Sequence, residues 1–158
     1  MDFAPDYSHP KIKEALIKMD FLNRYEELSK FYNSERTPSE NRLIYIDGEE
    51  VLEMIAENGY VPQFDNKEKF YKIAEEQMDK YTFSVHVILQ AGMVDIVWIV
   101  KEAEELILGA PWGTYSRRLV DSSYRIKKPI FGTYEDLEDI LKITFSMYED
   151  FKKKLVEE

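Results

Sequence analysis

No cysteine occurs in the 158 residues. That excludes a disulfide framework, a thiolate nucleophile and any Cys-ligated zinc or iron–sulfur centre, and it fits a reducing cytoplasm as the expected location. Histidine is nearly as scarce, with only His9 and His86. Two imidazoles far apart in sequence give no metal-ligand spacing and leave few bases to activate a Ser or Thr. Glycine and proline number six each, too few for long disordered linkers. No apolar stretch approaches the ~20 residues needed to span a bilayer. The longest, Val94–Val100, is broken by Asp95. The acidic opening MDFAPDYSHP lacks the apolar segment of a signal peptide. Catalytic and cofactor motifs are missing too. There is no GxxxxGK[ST] loop, no GxGxxG after a strand, no GxSxG elbow and no HExxH pair. The expectation is no catalytic residue, no metal and no cofactor.

What the chain has in quantity is acid. Thirty-one Asp and Glu face 21 Lys and Arg, a net charge of −10. Phosphate repulsion disfavours nucleic acid as a partner, and the same field speeds encounter with basic proteins. One segment runs against this trend. Arg117–Lys128, RRLVDSSYRIKK, carries five bases and one acid, leaving the remainder near −14.

The length predicts one α+β domain over residues 1–158, with no membrane segment. Its centre is Phe83–Val100, FSVHVILQAGMVDIVWIV, two β-branched runs around Ala91-Gly92-Met93. This pattern predicts an antiparallel hairpin with strands at about 83–90 and 93–100. Phe83, Val85, Val87 and Leu89 share one face, and Ser84, His86, Ile88 and Gln90 the other. Both strands are apolar enough to predict helices over much of both faces.

Helical periodicity predicts a first helix from Pro10 to Tyr32, with Ser8 as a cap and a stripe from Ile12 through Leu28 and Phe31. A loop follows over 33–41, then a strand at Leu43–Ile46 and a helix over Glu49–Asn58. Asp65 and Glu68 have capping-box spacing, which predicts a third helix to about Lys80. Lys101–Leu108 fits a short helix or a strand continuation, with helix preferred. Thr114–Val120 and Tyr124–Ile130 read as a second hairpin. Thr133 and Asp136 open a long C-terminal helix whose inward face is Leu137, Ile140, Leu141, Phe145, Tyr148, Phe151 and Leu155.

His86 could act as a base if its strand face lines a pocket, or serve as a hydrogen-bonded polar residue of the sheet. Asp95 sits inside an apolar strand, where a carboxylate must be paired or exposed. A pocket between the hairpin and the basic segment would draw on His86, Asp95, Trp98, Trp112, Arg117 and Arg118. The chain also holds eleven Tyr, and Tyr32, Tyr45, Tyr60, Tyr115 and Trp112 sit at element ends or turns, where exposure as interface anchors is expected.

The function expected from this balance is a non-enzymatic acidic domain that binds a basic protein. Immunity and antitoxin proteins share this general type, an analogy that no motif carries. The alternative is a small-molecule-binding domain or enzyme using the pocket just described. A homo-oligomer is a third possibility.

Overall fold

In the computed structural model, residues 9–157 are described. Ser8, the expected first cap, lies outside them. His9 takes that role, its Nδ1 accepting from the Lys11 N–H at 3.3 Å. Among the described residues five α-helices pack on a six-stranded antiparallel sheet, whose strands β1 (Pro62–Asp65), β2 (Phe70–Ile73), β4 (Tyr81–Gln90), β5 (Met93–Glu102) and β6 (Glu105–Pro111) lie in that order, with β3 (Glu76–Met78) paired to β4. The expected α+β class is therefore observed.

The expected hairpin forms its centre. β4 (Tyr81–Gln90) and β5 (Met93–Glu102) pair along their full length, from Tyr81 opposite Glu102 to Gln90 opposite Met93. Ala91 and Gly92, with φ of 54° and 73°, make the two-residue turn.

Several elements differ from their sequence reading. The long first helix is two, α1 (Pro10–Lys18) and α2 (Phe21–Phe31), because Asp20 adopts a left-handed φ of 63° and redirects the chain. Leu43–Ile46 is irregular rather than a strand, although Leu43 N–H does bond the Phe131 carbonyl at 3.1 Å. α3 covers Gly48–Glu57. β1 (Pro62–Asp65) forms where Pro62 disfavours helix, and the expected third helix beyond it is instead a turn and two strands, β2 (Phe70–Ile73) and β3 (Glu76–Met78). Asp65 does accept from the Lys67 and Glu68 N–H groups, at 3.0 and 2.9 Å. Those bonds start a turn, which Lys69 closes at φ 62°. An aspartate three residues before a glutamate serves both geometries.

Residues 101–108 are not a helix. β5 runs on to Glu102, and Ala103 and Glu104, both at positive φ, turn the chain into β6 (Glu105–Pro111). The second hairpin is absent. α4 (Trp112–Leu119) occupies its first half, and its second half is irregular apart from one bridge between Ile130 and Met93. α5 (Tyr134–Val156) starts where expected, with Thr133 Oγ1 accepting from Asp136 N–H at 3.0 Å.

The helices lie on one face of the sheet, not two. Trp98, on the same face as Val85 and Val100, meets rings from α2, α4 and α5: Phe21, Trp112, Tyr115 and Phe151. α3 reaches the same face through Gly48, beside the Tyr71 hydroxyl. The opposite face holds Lys72, His86, Ile88, Asp95, Val97 and Ile99, all half-buried, with no helix over it among the described residues.

Candidate functional site

The residues singled out in the sequence do not converge. His86 and Trp98 sit on opposite faces of the sheet, since Trp98 pairs with Val85 and His86 with Val97. The His86 ring stacks on Phe70 at 4.1 Å. Burial, then the nearby Lys72, holds its pKa below the usual 6.5, so the ring is neutral at pH 7. Asp95 is also on the open face and pairs with Lys128 at 3.5 Å, so one base of the basic segment satisfies an internal acid. Trp98 and Trp112 are fully buried and their indole N–H groups have no hydrogen-bond partner. They pack edge to face at 5.2 Å in an aromatic cluster. Arg117 bonds Thr114 Oγ1 at 3.2 Å within α4. Arg118 lines a cleft with His9, Glu105 and Leu106.

The tyrosine expectation fails in three of four places. Tyr32, Tyr60 and Tyr115 are buried, as is Trp112, and Tyr45 alone stands out, at 92% exposure. The Tyr115 hydroxyl donates to the Trp98 carbonyl at 2.8 Å, a structural bond between α4 and β5. Tyr60 packs inward against Phe145 and Tyr148 of α5, and Tyr115 against Phe21 of α2 and Trp98 of β5. That is tertiary information which no local pattern carries.

The structure gathers two clusters that the sequence did not reveal. One is a polar network around a buried ammonium. Lys152 is 4% exposed, yet its Nζ reaches Glu76 at 2.8 Å and Glu149 at 2.9 Å. The Tyr148 hydroxyl also donates to Glu76, and the Tyr60 hydroxyl donates to Glu149. The ammonium lies 4.4 Å from the Tyr148 ring centre. Burial, then the carboxylate each one bonds, drives both tyrosine pKa values far up. For Glu149, burial opposes ionisation. The Tyr60 hydroxyl and Lys152 outweigh it and hold the carboxyl below 4.5. Every member is satisfied by another, so this network builds the fold. One signal did exist, because Lys152 falls four residues after Tyr148 on the inward stripe of α5.

The second cluster is open to solvent. α2 and α5 leave a groove of about 280 Å³ lined by Arg24, Glu27, Leu28, Phe31, Tyr32 and Ile143. Phe31, placed by periodicity on the inward stripe, is 58% exposed, and Ile143 is 40% exposed. The left-handed break at Asp20 explains this, because α2 no longer continues the rotation of α1 and the end of the stripe swings outward. Arg36 closes one end, 4.6 Å above the Phe31 ring.

The charges around the groove are uneven. Arg36 is held by Asp136 at 3.1 Å and Arg24 by Asp150 at 2.9 Å. Glu27 and Asp139 have no cation partner among the described residues. Burial, then Asp139, raises the Tyr32 pKa, which places that carboxylate beside the groove wall. Arg24 on the lining and Arg36 above Phe31 are thus neutralised, whereas Glu27 on the lining and Asp139 beside Tyr32 are not.

Among the described residues, no group of three His, Asp or Glu is placed to hold a metal ion, and no helix is long and apolar enough to cross a membrane. No family model, no curated protein and no solved structure matches the chain.

Proposed function

We propose that this chain is a non-enzymatic, acidic protein-binding domain, and that the α2/α5 groove receives an apolar segment flanked by Lys or Arg on a basic partner. The observation that carries this reading is the groove itself. Exposed Phe31 and Ile143 offer apolar contact, while Glu27 and Asp139 stand ready for cations. An apolar anchor in a pocket with charges at its rim is how small interfaces obtain affinity and fast encounter. The net charge of −10 extends that attraction beyond the groove. In this reading the domain acts as an inhibitor of the immunity or antitoxin type, covering a basic surface that an effector protein needs. The aromatic excess lends no support, because most of it is core.

The test uses an 18-residue amphipathic Leu/Lys helix as probe, followed by fluorescence anisotropy at low and moderate salt. A scrambled peptide of equal charge serves as control. The helical peptide binds the wild type more tightly than the scramble. Phe31→Ser weakens it about tenfold, the scale of losing one apolar hot spot. Glu27→Lys weakens it and reduces its salt dependence. Equal binding of both peptides, or binding indifferent to Phe31→Ser, overturns the reading.

A further inference from the structure

The open face of the sheet has its own pattern. Strand register sets four rows across it: Asp65, Phe70, Ile88 and Asp95; then Gln63, Lys72, His86, Val97 and Pro111; then Ser84, Ile99 and Gly109; and last Gln77, Thr82, Lys101 and Leu106. The middle of this array is apolar. Ile88, Val97 and Ile99 are half-buried side by side, the Phe70–His86 stack borders them, and Leu106 is 58% exposed at the β6 edge.

The charges of this face cancel. Lys101 pairs with Glu75 at 3.3 Å and Lys128 with Asp95 at 3.5 Å, and Lys72 is matched by Asp65 one row away. On a molecule of net charge −10 this is a neutral patch. A basic partner would gain nothing electrostatically by landing here. A second copy of the same chain, repelled elsewhere, meets no repulsion.

We infer that two copies associate through this face, sheet against sheet, in a two-fold dimer with the helices of both copies outward. Antiparallel sheets stack at about 10 Å when their facing side chains interdigitate, with strand directions within about 30°. Ile88, Val97 and Ile99 supply that layer, and Leu106, folded over Gly109, extends it toward the β6 edge. The six strands, two of ten residues and four of three to seven, rise ~3.3 Å per residue at ~4.8 Å spacing and make a face of about 600 Å². That approaches the roughly 800 Å² per partner of a standard specific interface. The occupant is self-complementary because a two-fold contact sets the same patch on both sides.

Light scattering coupled to size exclusion, run from about 5 to 200 µM, tests this on the intact chain. The mass rises toward twice 18.8 kDa as concentration increases. Val97→Arg places a cation at the centre of the face and raises the dimer dissociation constant at least tenfold. Ile88→Lys does the same from the end of the face, should Val97→Arg fail to fold by circular dichroism. Phe31→Ser, on the other layer, leaves the dimer unchanged. A monomer at every concentration overturns the inference. So does a dimer indifferent to both sheet variants, or one lost with Phe31→Ser. Peptide binding in the α2/α5 groove is scored separately, so either conclusion can fail alone.

Discussion

At the scale of the residue, Lys152 sits at the centre of the chain's most costly burial. An ammonium 4% exposed is tolerable only because two carboxylates and two tyrosines surround it. Removing it as Lys152→Ala leaves Glu76 and Glu149 facing each other's charge. The loss is about 2–3 kcal/mol, below the ~3–5 kcal/mol of a fully buried pair, because both carboxylates reach water and can rehydrate. Urea unfolding at pH 7 measures it. The same titration carried into acid reads out Glu149. Its folded-state pKa lies below the unfolded 4.5, so its stabilisation is complete above 4.5 and drains away as pH falls through the lower folded value. Wild type therefore loses stability below pH 4.5 more steeply than Glu149→Gln, which begins weaker and declines less. Identical slopes would show that Glu149 is not held by the network. Lys152 was partly legible in the sequence, since the α5 stripe predicts its inward position. Its partners were not. Glu76 lies on a strand where the capping-box spacing predicts helix, and Tyr60, at an element end, packs inward.

At the scale of the element, the central hairpin and the C-terminal helix were legible because each carries a strong period with an unambiguous end. The hairpin alternates and then breaks at Ala91-Gly92. α5 begins with a capping threonine and keeps one apolar stripe for 23 residues. The segment 65–80 failed for a physical reason. Two strands of four and three residues are too short to show a period of two, and the Asp65 turn resembles a helix start. Residues 103–104 failed because Ala and Glu occupy a positive-φ turn that normally takes Gly or Asn. The groove was hidden for the same reason, because it depends on the Asp20 break. The β4–β5 turn has the same misfit, with Ala91 at φ 54° ahead of Gly92. Asn-Gly is the favoured pair for two positive-φ residues, and Ala in that region carries strain of about 1–2 kcal/mol. Ala91 is exposed, so replacing it disturbs no packing. Ala91→Asn raises stability by about 1 kcal/mol, a gain of about 2–4 °C in Tm for a chain of this size. Calorimetry that found no gain would place the strain elsewhere.

At the scale of the whole molecule, the sheet divides the protein into two surfaces of different electrical character. One is a neutral apolar sheet face. The other is a layer of helices that carries the acidic groove between α2 and α5. Groove and sheet face share no residue, and the apolar core around Trp98 lies between them. Association through one leaves the other free. A dimer formed through the sheet thus presents two grooves, each on an outward layer, and doubles the negative charge that draws a basic partner in. The expected stoichiometry with the Leu/Lys helix is two peptides per dimer, with equal affinity at both grooves. Val97→Arg converts this to one peptide per monomer without changing the affinity of each site, because the substitution lies on the far side of the core. Calorimetric titration reads both quantities in one experiment. A single peptide per dimer would mean that the copies meet through the helices and that one groove is covered by its neighbour. An affinity that falls with Val97→Arg would mean that the two surfaces are coupled through the sheet, which the closely packed Trp98 cluster gives no visible means of doing.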